Sequence, residues 1–237
     1  MSLDSMPGGI DDVPWHPFGD LTIIKKFQSK KNHVYLVDIG GKRLIMKLFT
    51  SDRCANEFKV LGQAYDLGIP VPRPYEMRDR AILMEYLVGK TVNDMVESEN
   101  RYDLVLGVAS WLARFHRAFM DEDGKVLLKS DAIFKNFIVA DRIYGIDFEL
   151  SRPGNPEEDV GEAISFLLDT NPMFTDDKIR LAHSFIQIYE AESGIKLNDI
   201  EDSIAKSLIE AAGFRTGQRE LLLKKAKDLI VLRPFSR

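Results

Sequence analysis

The feature that most constrains the fold is the order of two hydrophobic patterns along the chain. The first ninety residues contain apolar stretches rich in β-branched and aromatic residues, which is typical of strands, at 21–27, 34–40, 42–49 and 81–89. After residue 90, apolar residues mostly recur at helical spacing. We therefore predict an α+β fold in which a small β-rich part precedes a mainly helical part.

The β-rich part also contains signals for a hairpin and a helix. Gly40-Gly41 separates two strand segments and is typical of a tight hairpin. Ser51 and Asp52 can cap a helix whose apolar residues follow at helical spacing. The segment 67–76 is interrupted by prolines and is predicted to be a connector. This part is therefore expected to have about four strands and one helix.

The helical part contains six predicted helices and one β-hairpin. Thr91 and Thr175 are placed to cap two helices, Asp159 a third, and Gly194 is placed to end the helix that Thr175 begins. One short predicted helix follows Thr91 directly. The other five lie at about 102–120, 157–170, 175–194, 198–212 and 216–231. Between the second and third of them, 137–139 and 143–146 predict two short strands.

These patterns divide the 237-residue chain into three parts. Residues 1–19 are expected to be a disordered or tag-like leader. Residues 20–88 are expected to form an N-terminal lobe, with an antiparallel sheet and one helix, and residues 89–237 a helical C-terminal lobe that contains the hairpin. Two small lobes of this size can each bury a core.

Composition limits the partners and the compartment. The net charge is −5, which argues against bulk nucleic-acid or membrane-surface binding. Cys54 is the single cysteine, so no intrachain disulfide can form. No apolar run is long enough to cross a bilayer. We expect a cytoplasmic protein that has no membrane partner and no direct nucleic-acid binding.

The chemistry is indicated by polar residues at the ends of the predicted hairpin. Asp131 and Asn136 have an Asp-x4-Asn spacing, and Asp147 ends the second strand. Upstream, Lys47 lies on the third strand segment and Glu57 on the following helix. Each residue alone also fits a solvent-facing position or a loop end. In this order, however, the five residues predict phosphoryl transfer from ATP.

Each of these residues has an expected role. Lys47 would contact the α and β phosphates, with Glu57 holding its side chain in place. Asp131 would orient the acceptor hydroxyl, while Asn136 and Asp147 would bind Mg²⁺ or Mn²⁺ with the nucleotide. In the stretch that ends at Gly89, the carbonyl of Glu85 and the amide of Leu87 would bind the adenine edge.

Several segments follow one another as in known phosphotransferases. They are NHVYLV, MKLF, NEFKVL, GIPVPRP, ILMEYLVGKT, FHRAF, SDAIFKN, YGIDFELS and EEDVGEAISFLL, within about residues 20–170. This order resembles the atypical, minimal branch of the protein-kinase-like superfamily, which includes RIO-like kinases, the small kinase of the tRNA threonylcarbamoyl complex, and aminoglycoside and choline phosphotransferases. The resemblance implies a two-lobe fold with ATP and Mg²⁺ between the lobes.

The chain departs from the superfamily pattern at four places. The expected phosphate-covering loop, FQSKKNHVYLV, has no glycine, and Lys129 replaces the histidine found two residues before the catalytic aspartate. Glu149 occupies the third position of an Asp-Phe-Gly motif, and no activation segment fits between Asp147 and Asp159. The resemblance implies that Asp159 also fixes the catalytic-loop backbone. His116 is expected to be a hydrogen-bonded core residue.

The acceptor stays open at this point. The short interval between the adenine-binding stretch and the catalytic loop favours an atypical Ser/Thr-type protein kinase. The glutamate of the DFE sequence favours a small-molecule hydroxyl kinase of the aminoglycoside or choline phosphotransferase type. A third alternative is a nucleotide-binding pseudokinase scaffold, to which the loop without glycine and Lys129 point.

Overall fold

The chain has two compact units in a computed structural model that describes residues 17–235. The smaller unit comprises Met1–Cys54 and Tyr75–Tyr86, and the larger comprises Ala55–Pro74 and Leu87–Arg237, in each case over the described residues. The predicted α+β class is confirmed. Of the predicted leader, residues 1–16 lie outside the described residues, and the lobe boundary between residues 88 and 89 stays a prediction.

The smaller unit contains an antiparallel sheet with strand order β1-β2-β3-β5-β4. Its strands are β1 Thr22–Phe27, β2 His33–Ile39, β3 Lys42–Leu48, β4 Pro74–Arg78 and β5 Ala81–Glu85. Strand β4 is the difference from the sequence prediction, which assigned this segment to a connector. Pro74 is its first residue and β4 is an edge strand, which is where a residue without an N–H group is tolerated in a sheet.

The β2–β3 hairpin places Lys47. Gly40 and Gly41 have φ values of 59° and 84°, so the tight turn uses the left-handed backbone that glycine adopts without strain. The register pairs Lys47 with Val34 on one side and with Ile82 on the other. The predicted hairpin is therefore present, and Lys47 lies between two central strands.

Alternation along these strands separates two faces. One face builds the core of the smaller unit, which consists of Phe18, Tyr35, Val37, Leu44, Met46, Leu48, Ala81 and Leu83. Because successive side chains in a strand point to opposite faces, Lys47 lies on the other face of β3, where it is only 6% exposed.

Over residues 17–235, the larger unit contains seven α-helices. They are α1 Cys54–Asp66, α2 Val92–Glu99, α3 Asp103–Ala118, α4 Glu157–Asp169, α5 Asp176–Ser193, α6 Ile200–Phe214 and α7 Arg219–Leu232. Helix α1 begins at Cys54, the last residue of the first segment of the smaller unit, and otherwise belongs to the larger unit. The helices predicted from hydrophobic spacing are all present, with ends that differ by a few residues.

Short strands connect these helices. They are β6 Lys90–Thr91, β7 Val126–Leu128, β8 Phe137–Val139, β9 Ile143–Gly145 and β10 Arg152–Gly154. Strands β8 and β9 form the predicted hairpin, which β6 extends to three strands, and β7 pairs with β10.

After residue 90, three of the four predicted helix caps are confirmed. Thr91 forms a capping box with Asp94, the hydroxyl of Thr175 accepts from the amide of Lys178, and Gly194 ends α5 in the left-handed region. The prediction for Asp159 as a cap is wrong. Helix α4 begins two residues earlier, after Pro156, so Asp159 lies in its first turn, and its carboxylate binds other groups.

An aromatic cluster forms the core behind the β8–β9 hairpin. The ring centroid of Trp111 lies 5.0 Å from that of Phe115 and 5.3 Å from that of Phe137. The Nε1 atom of Trp111 and the amide of Gly145 both donate to the carbonyl of Pro70, at 2.8 and 3.0 Å. The hairpin is therefore fixed to α3 and to the segment after α1. Among the helices in residues 17–235, none has the length and apolar character needed to cross a bilayer.

Candidate active site

The loop before β8 brings Asp131 and Asn136 together. The Nδ2 atom of Asn136 donates to the carbonyl of Asp131 at 2.9 Å, and the carbonyl of Asn136 accepts from the amide of Ile146 at 3.0 Å. Because Nδ2 is used in this way, Oδ1 is the atom of the Asn136 amide that remains for a cation. The Asp-x4-Asn spacing of the sequence thus corresponds to one hydrogen-bonded turn, which the amide of Ile146 links to the second strand of the hairpin.

Three backbone positions in this region have unusual dihedral angles. Ser130, Asp131 and Asp147 have φ values of 54°, 63° and 65°. Residues other than glycine rarely adopt positive φ, and each such residue costs on the order of 1–3 kcal/mol unless its surroundings hold it. Two of the three are predicted site residues. The loop therefore needs a rigid support.

Asp159 provides part of this support. Its Oδ2 accepts from the amide of Lys129 at 2.6 Å, and its Oδ1 from the amide of Ser130 at 2.9 Å. Nε2 of His116 lies 3.0 Å from Oδ2, and Nδ1 of His116 lies 2.8 Å from the hydroxyl of Tyr189. The expectation of a satisfied core histidine is therefore confirmed. Burial raises the pKa of the Tyr189 hydroxyl, so Tyr189 remains a neutral hydrogen-bonding partner.

Lys129 is fully buried beside the same loop. Its Nζ donates to the carbonyls of Asp131 and Asp147, at 3.2 and 3.3 Å. Burial lowers the pKa of Lys129, and the carboxylates of Asp147 and Asp131 oppose this effect, followed by those of Asp159 and Glu162. At the position where the superfamily pattern has a histidine, this chain therefore has a buried lysine surrounded by acidic side chains.

Three carboxylates gather at Asp147. One oxygen each from Glu57, Asp147 and Glu149 lies within 4.8 Å of the others, and two of the three side chains are buried. The Nδ2 atom of Asn56 donates to the carbonyl of Ser151 at 2.9 Å and to that of Glu149 at 3.3 Å. Helix α1 is thereby held to the segment after β9, which brings Glu57 to the acids of that segment.

This donor set fits a hard divalent cation. Mg²⁺ and Mn²⁺ prefer carboxylate and amide oxygens, and Mg²⁺ is usually held by a few protein ligands together with nucleotide phosphates. A cluster of three acids is also electrostatically unfavourable unless cations compensate it. The sequence interpretation did not include Glu149 among the candidate metal ligands and used it as a departure from the superfamily pattern that favours a small-molecule hydroxyl kinase. Its position two residues after Asp147 was the available signal, because two acids this close in sequence can both reach one cation.

The remaining predicted site residues lie in different units. Lys47 and Glu85 belong to the smaller unit, whereas Glu57 and Leu87 belong to the larger. The Nζ atom of Lys47 lies 4.8 Å from the ring centroid of Phe49. Glu85 is the last residue of β5, and Leu87 is buried. Their predicted contacts with ATP, and the pairing of Lys47 with Glu57, stay predictions.

A further acid near the loop was not anticipated from the sequence. The Oε2 atom of Glu162 accepts from the amide of Ala132 at 2.7 Å. Burial raises the pKa of Glu162 to about 7, and the hydrogen bond from Ala132 only partly opposes this shift. The pKa of Glu162 therefore lies near neutral pH, and Glu162 binds the amide of Ala132, the residue that follows the predicted catalytic aspartate.

Comparison with known proteins agrees with this arrangement. Residues 24–134 match the phosphotransferase enzyme family (APH). The EKC/KEOPS complex subunit BUD32 of Encephalitozoon cuniculi is 29% identical over 139 residues, which are 58% of this chain and 63% of that protein. The family match and this relative support a place for the chain in the protein-kinase-like superfamily. A second relative in this superfamily, the probable serine/threonine-protein kinase BUD32 homolog of Archaeoglobus fulgidus, is 27% identical over 143 residues, with coverage of 60% and 68%.

Solved structures of the superfamily share the fold. Choline kinase from Cryptosporidium parvum aligns with a TM-score of 0.68 at 12% identity, covering 90% of each chain. A putative aminoglycoside phosphotransferase from Ralstonia eutropha aligns with a TM-score of 0.66 at 16% identity, covering 89% of each chain. The family match and the relatives together indicate a kinase. The chain nevertheless spans less than two thirds of the E. cuniculi protein.

Proposed function

We propose that the protein transfers the γ-phosphate of ATP, bound with Mg²⁺ or Mn²⁺, to a hydroxyl group. The observation that carries this proposal is the cluster of Glu57, Asp147 and Glu149, which lies in the same unit as the loop of Asp131 and Asn136. Phosphoryl transfer requires ligands for a cation and a polar loop that orients the acceptor, and this unit would supply both.

The metal site would use Asp147, Glu149 and the Oδ1 atom of Asn136. When bound, the cation neutralises charge on the β and γ phosphates and orients them. The orientation of the Asn136 amide supports its role, because the bond from Nδ2 to the Asp131 carbonyl fixes which atom is the acceptor. The backbone of Asp147 has a positive φ, so its side chain does not follow the alternation of the preceding strand β9.

Asp131 would accept a hydrogen bond from the acceptor hydroxyl and orient it toward the γ-phosphate. The side chains of Asn136 and Lys129 both donate to the carbonyl of Asp131, so the backbone that carries the Asp131 carboxylate is fixed. From the sequence we also propose that Lys47 contacts the α and β phosphates with Glu57 as its partner, and that Glu85 and Leu87 bind the adenine edge.

Among acceptors, we favour a serine or threonine hydroxyl of a protein. Between β6 and the Asp131 loop, the described chain contains only α2, α3 and β7, so this interval adds no further helix against which a small acceptor could be enclosed. The Archaeoglobus fulgidus relative is by name a probable serine/threonine-protein kinase, which supports the same choice.

A small-molecule hydroxyl kinase is the second candidate. The phosphotransferase family match supports it, as does the acid at position 149 in the metal cluster. The pseudokinase alternative has less support. Lys129 and Asp159 hold the backbone of the catalytic loop and of Asp147 with four hydrogen bonds, which keep the proposed site residues in position without the histidine of the superfamily pattern.

The test is nucleotide binding followed by turnover. We expect ATP to raise the melting temperature of the wild type only with Mg²⁺ or Mn²⁺ present. Asp147→Ala should abolish this metal-dependent shift. Asp131→Ala should lower kcat by about 10²-fold or more while leaving the affinity for ATP within about twofold.

Asp141→Ala is the matched control for both substitutions. Asp141 lies at the exposed tip of the same hairpin, where it accepts from the hydroxyl of Tyr144. It should retain wild-type turnover. Absence of any metal-dependent shift in the wild type would contradict the proposal, and labelled ATP with a panel of small alcohols, sugars and proteins would identify the acceptor class.

A further inference from the structure

We infer that Lys129 is a positioning residue that joins the acceptor-orienting loop to the metal-binding segment. The inference rests on the proposed function for the roles of Asp131 and Asp147. Lys129 contacts neither nucleotide nor acceptor in this assignment. It acts through the main chain of the two residues that do, and it takes the position of the histidine that the superfamily pattern contains.

The hydrogen bonds of Lys129 connect the two segments directly. One amino group donates to the carbonyl of Asp131 at 3.2 Å and to that of Asp147 at 3.3 Å. These carbonyls belong to residues that are 16 positions apart in sequence and on either side of the β8–β9 hairpin. The side chain of Lys129 therefore bridges the main chain of the predicted acceptor-orienting acid and that of the predicted metal ligand.

The two carbonyls belong to strained residues. Asp131 and Asp147 both have positive φ, at 63° and 65°. Residues other than glycine persist in this region only when surrounding contacts outweigh the strain. Hydrogen bonds to their carbonyls fix the peptide groups that follow, and therefore restrict ψ at Asp131 and Asp147, the second angle of the left-handed conformation.

Lys129 itself is held at several points. Its amide donates to Asp159 Oδ2 at 2.6 Å, and its carbonyl accepts from the hydroxyl of Ser151 at 3.0 Å. Its Nζ lies 5.4 and 5.3 Å from the ring centroids of Phe137 and Phe148. Aromatic faces attract a cationic group, so they favour this position of the amino group. Because Lys129 is fully buried, few other conformations are open to it.

Lysine suits this position because its amino group has three donors and a long, flexible stem. A histidine has two ring nitrogens in a fixed plane, and in its neutral form only one of them donates. One lysine amino group can satisfy two carbonyls that face it from different segments. On this basis, the missing histidine is replaced by another way of fixing the loop, and it is not a sign of lost activity.

The experiment compares Lys129→Met with Lys178→Met. Methionine keeps an unbranched apolar side chain but has no donors. Lys178 is also buried, and its amino group donates to the carbonyl and the hydroxyl of Thr170, at the end of α4 and away from the Asp131 loop. Both substitutions remove a buried lysine, so general effects on folding are expected in both.

Two measurements separate positioning from stability. Hydrogen exchange should become faster in Lys129→Met at the amides of residues 130–132 and 146–149, relative to Lys178→Met. In turnover assays well below the melting temperature, kcat of Lys129→Met should fall by at least about tenfold, while the Kd for ATP with Mg²⁺ changes by less than about threefold. Lys129→His, which restores one donor, should recover part of kcat.

The outcomes are distinguishable from those that test the proposed function. If the wild type has no turnover, the proposed function fails, and the exchange rates alone decide the role of Lys129. Equal exchange in the two segments for Lys129→Met and Lys178→Met would overturn the inference. If Lys129→Met does not fold, the same exchange comparison is made with Lys129→His, which keeps only one donor. Equal exchange in the two segments for Lys129→His and Lys178→Met would then overturn the inference.

Discussion

Nε2 of His116 lies 3.0 Å from Oδ2 of Asp159, and solvent reaches almost none of either side chain. The same carboxylate accepts hydrogen bonds from the amides of Lys129 and Ser130. Helices α3 and α4 thus meet at a buried polar pair, and that pair holds the backbone immediately before Asp131. The candidate site is therefore supported from inside the core of the larger unit.

The first prediction concerns this pair. Asp159→Ala leaves two loop amides and one imidazole without their acceptor, so the free energy of unfolding should fall by about 3–5 kcal/mol. Asp159→Asn should cost less, because its amide oxygen still accepts one hydrogen bond. Urea unfolding measures both values. Asp177→Ala is the control, since Asp177 pairs with Arg180 at the surface and should change the free energy by less than about 1 kcal/mol.

Local patterns were enough to predict most elements of the fold. Gly40-Gly41 predicted the β2–β3 hairpin, and Thr175 and Gly194 predicted both ends of α5, because turns and caps depend on residues adjacent in sequence. Strand β4 was missed because Pro74 suggested a connector, although an edge strand can begin with proline. Its pairing depends on the sheet and not on its own composition.

The candidate site was predictable only in part, because its geometry depends on contacts between distant segments. The Asp131 to Asn136 spacing is local, and the structure contains the corresponding turn. The approach of Glu57 to Glu149 depends on Asn56 binding carbonyls more than ninety positions later in the chain. The high pKa of Glu162 depends on burial, which no short stretch of sequence reveals.

The second prediction concerns pH. Burial raises the pKa of Glu162 from 4.5 in the unfolded chain to about 7 in the folded protein, so the folded protein binds this proton more tightly. The contribution of Glu162 to stability is therefore complete below pH 4.5 and is lost as the pH rises toward 7. Its upper limit is about 3 kcal/mol, and partial exposure lowers that value.

Glu162→Gln should remove this dependence, because its amide oxygen can still accept from Ala132 but does not titrate. Urea unfolding at several values between pH 5 and 8 measures the slope for both proteins. Asp169, whose pKa is raised to about 6 by burial, contributes a slope of the same sign in both. Identical slopes for wild type and Glu162→Gln would contradict the assignment.

The third prediction concerns Gly89, the glycine at the end of the stretch expected to bind adenine. A Cβ atom at this position would lie 2.1 Å from the carbonyl oxygen of Val139, which is backbone and cannot rotate away. Gly89→Ala should therefore separate β6 from β8 and lower the free energy of unfolding by about 2 kcal/mol or more. Gly213→Ala is the matched control, because its Cβ meets nothing within 4 Å in α6. It should stabilise the protein by up to about 1 kcal/mol, since alanine favours helix. Thermal or urea unfolding of both variants gives the comparison.

The fourth prediction concerns Glu149. If this carboxylate belongs to the metal site, Glu149→Gln should raise the concentration of Mg²⁺ or Mn²⁺ needed for half of the ATP-dependent thermal shift by about tenfold or more. Glu99→Gln is a suitable control, because Glu99 pairs with Lys90 at the surface of the same unit. Titration of the metal at fixed ATP measures the change. An unaltered titration midpoint in Glu149→Gln would limit the metal ligands to the other predicted residues.

The indole of Trp111 stacks on Phe115, meets the edge of Phe137 and shares the carbonyl of Pro70 with Gly145. Trp111 is therefore an intrinsic fluorescence probe on α3, in direct contact with the hairpin that the proposed ligands flank. Replacing Trp15 by phenylalanine would leave Trp111 as the only indole in the chain. Its emission would then follow rearrangement of the hairpin in real time, without any attached label.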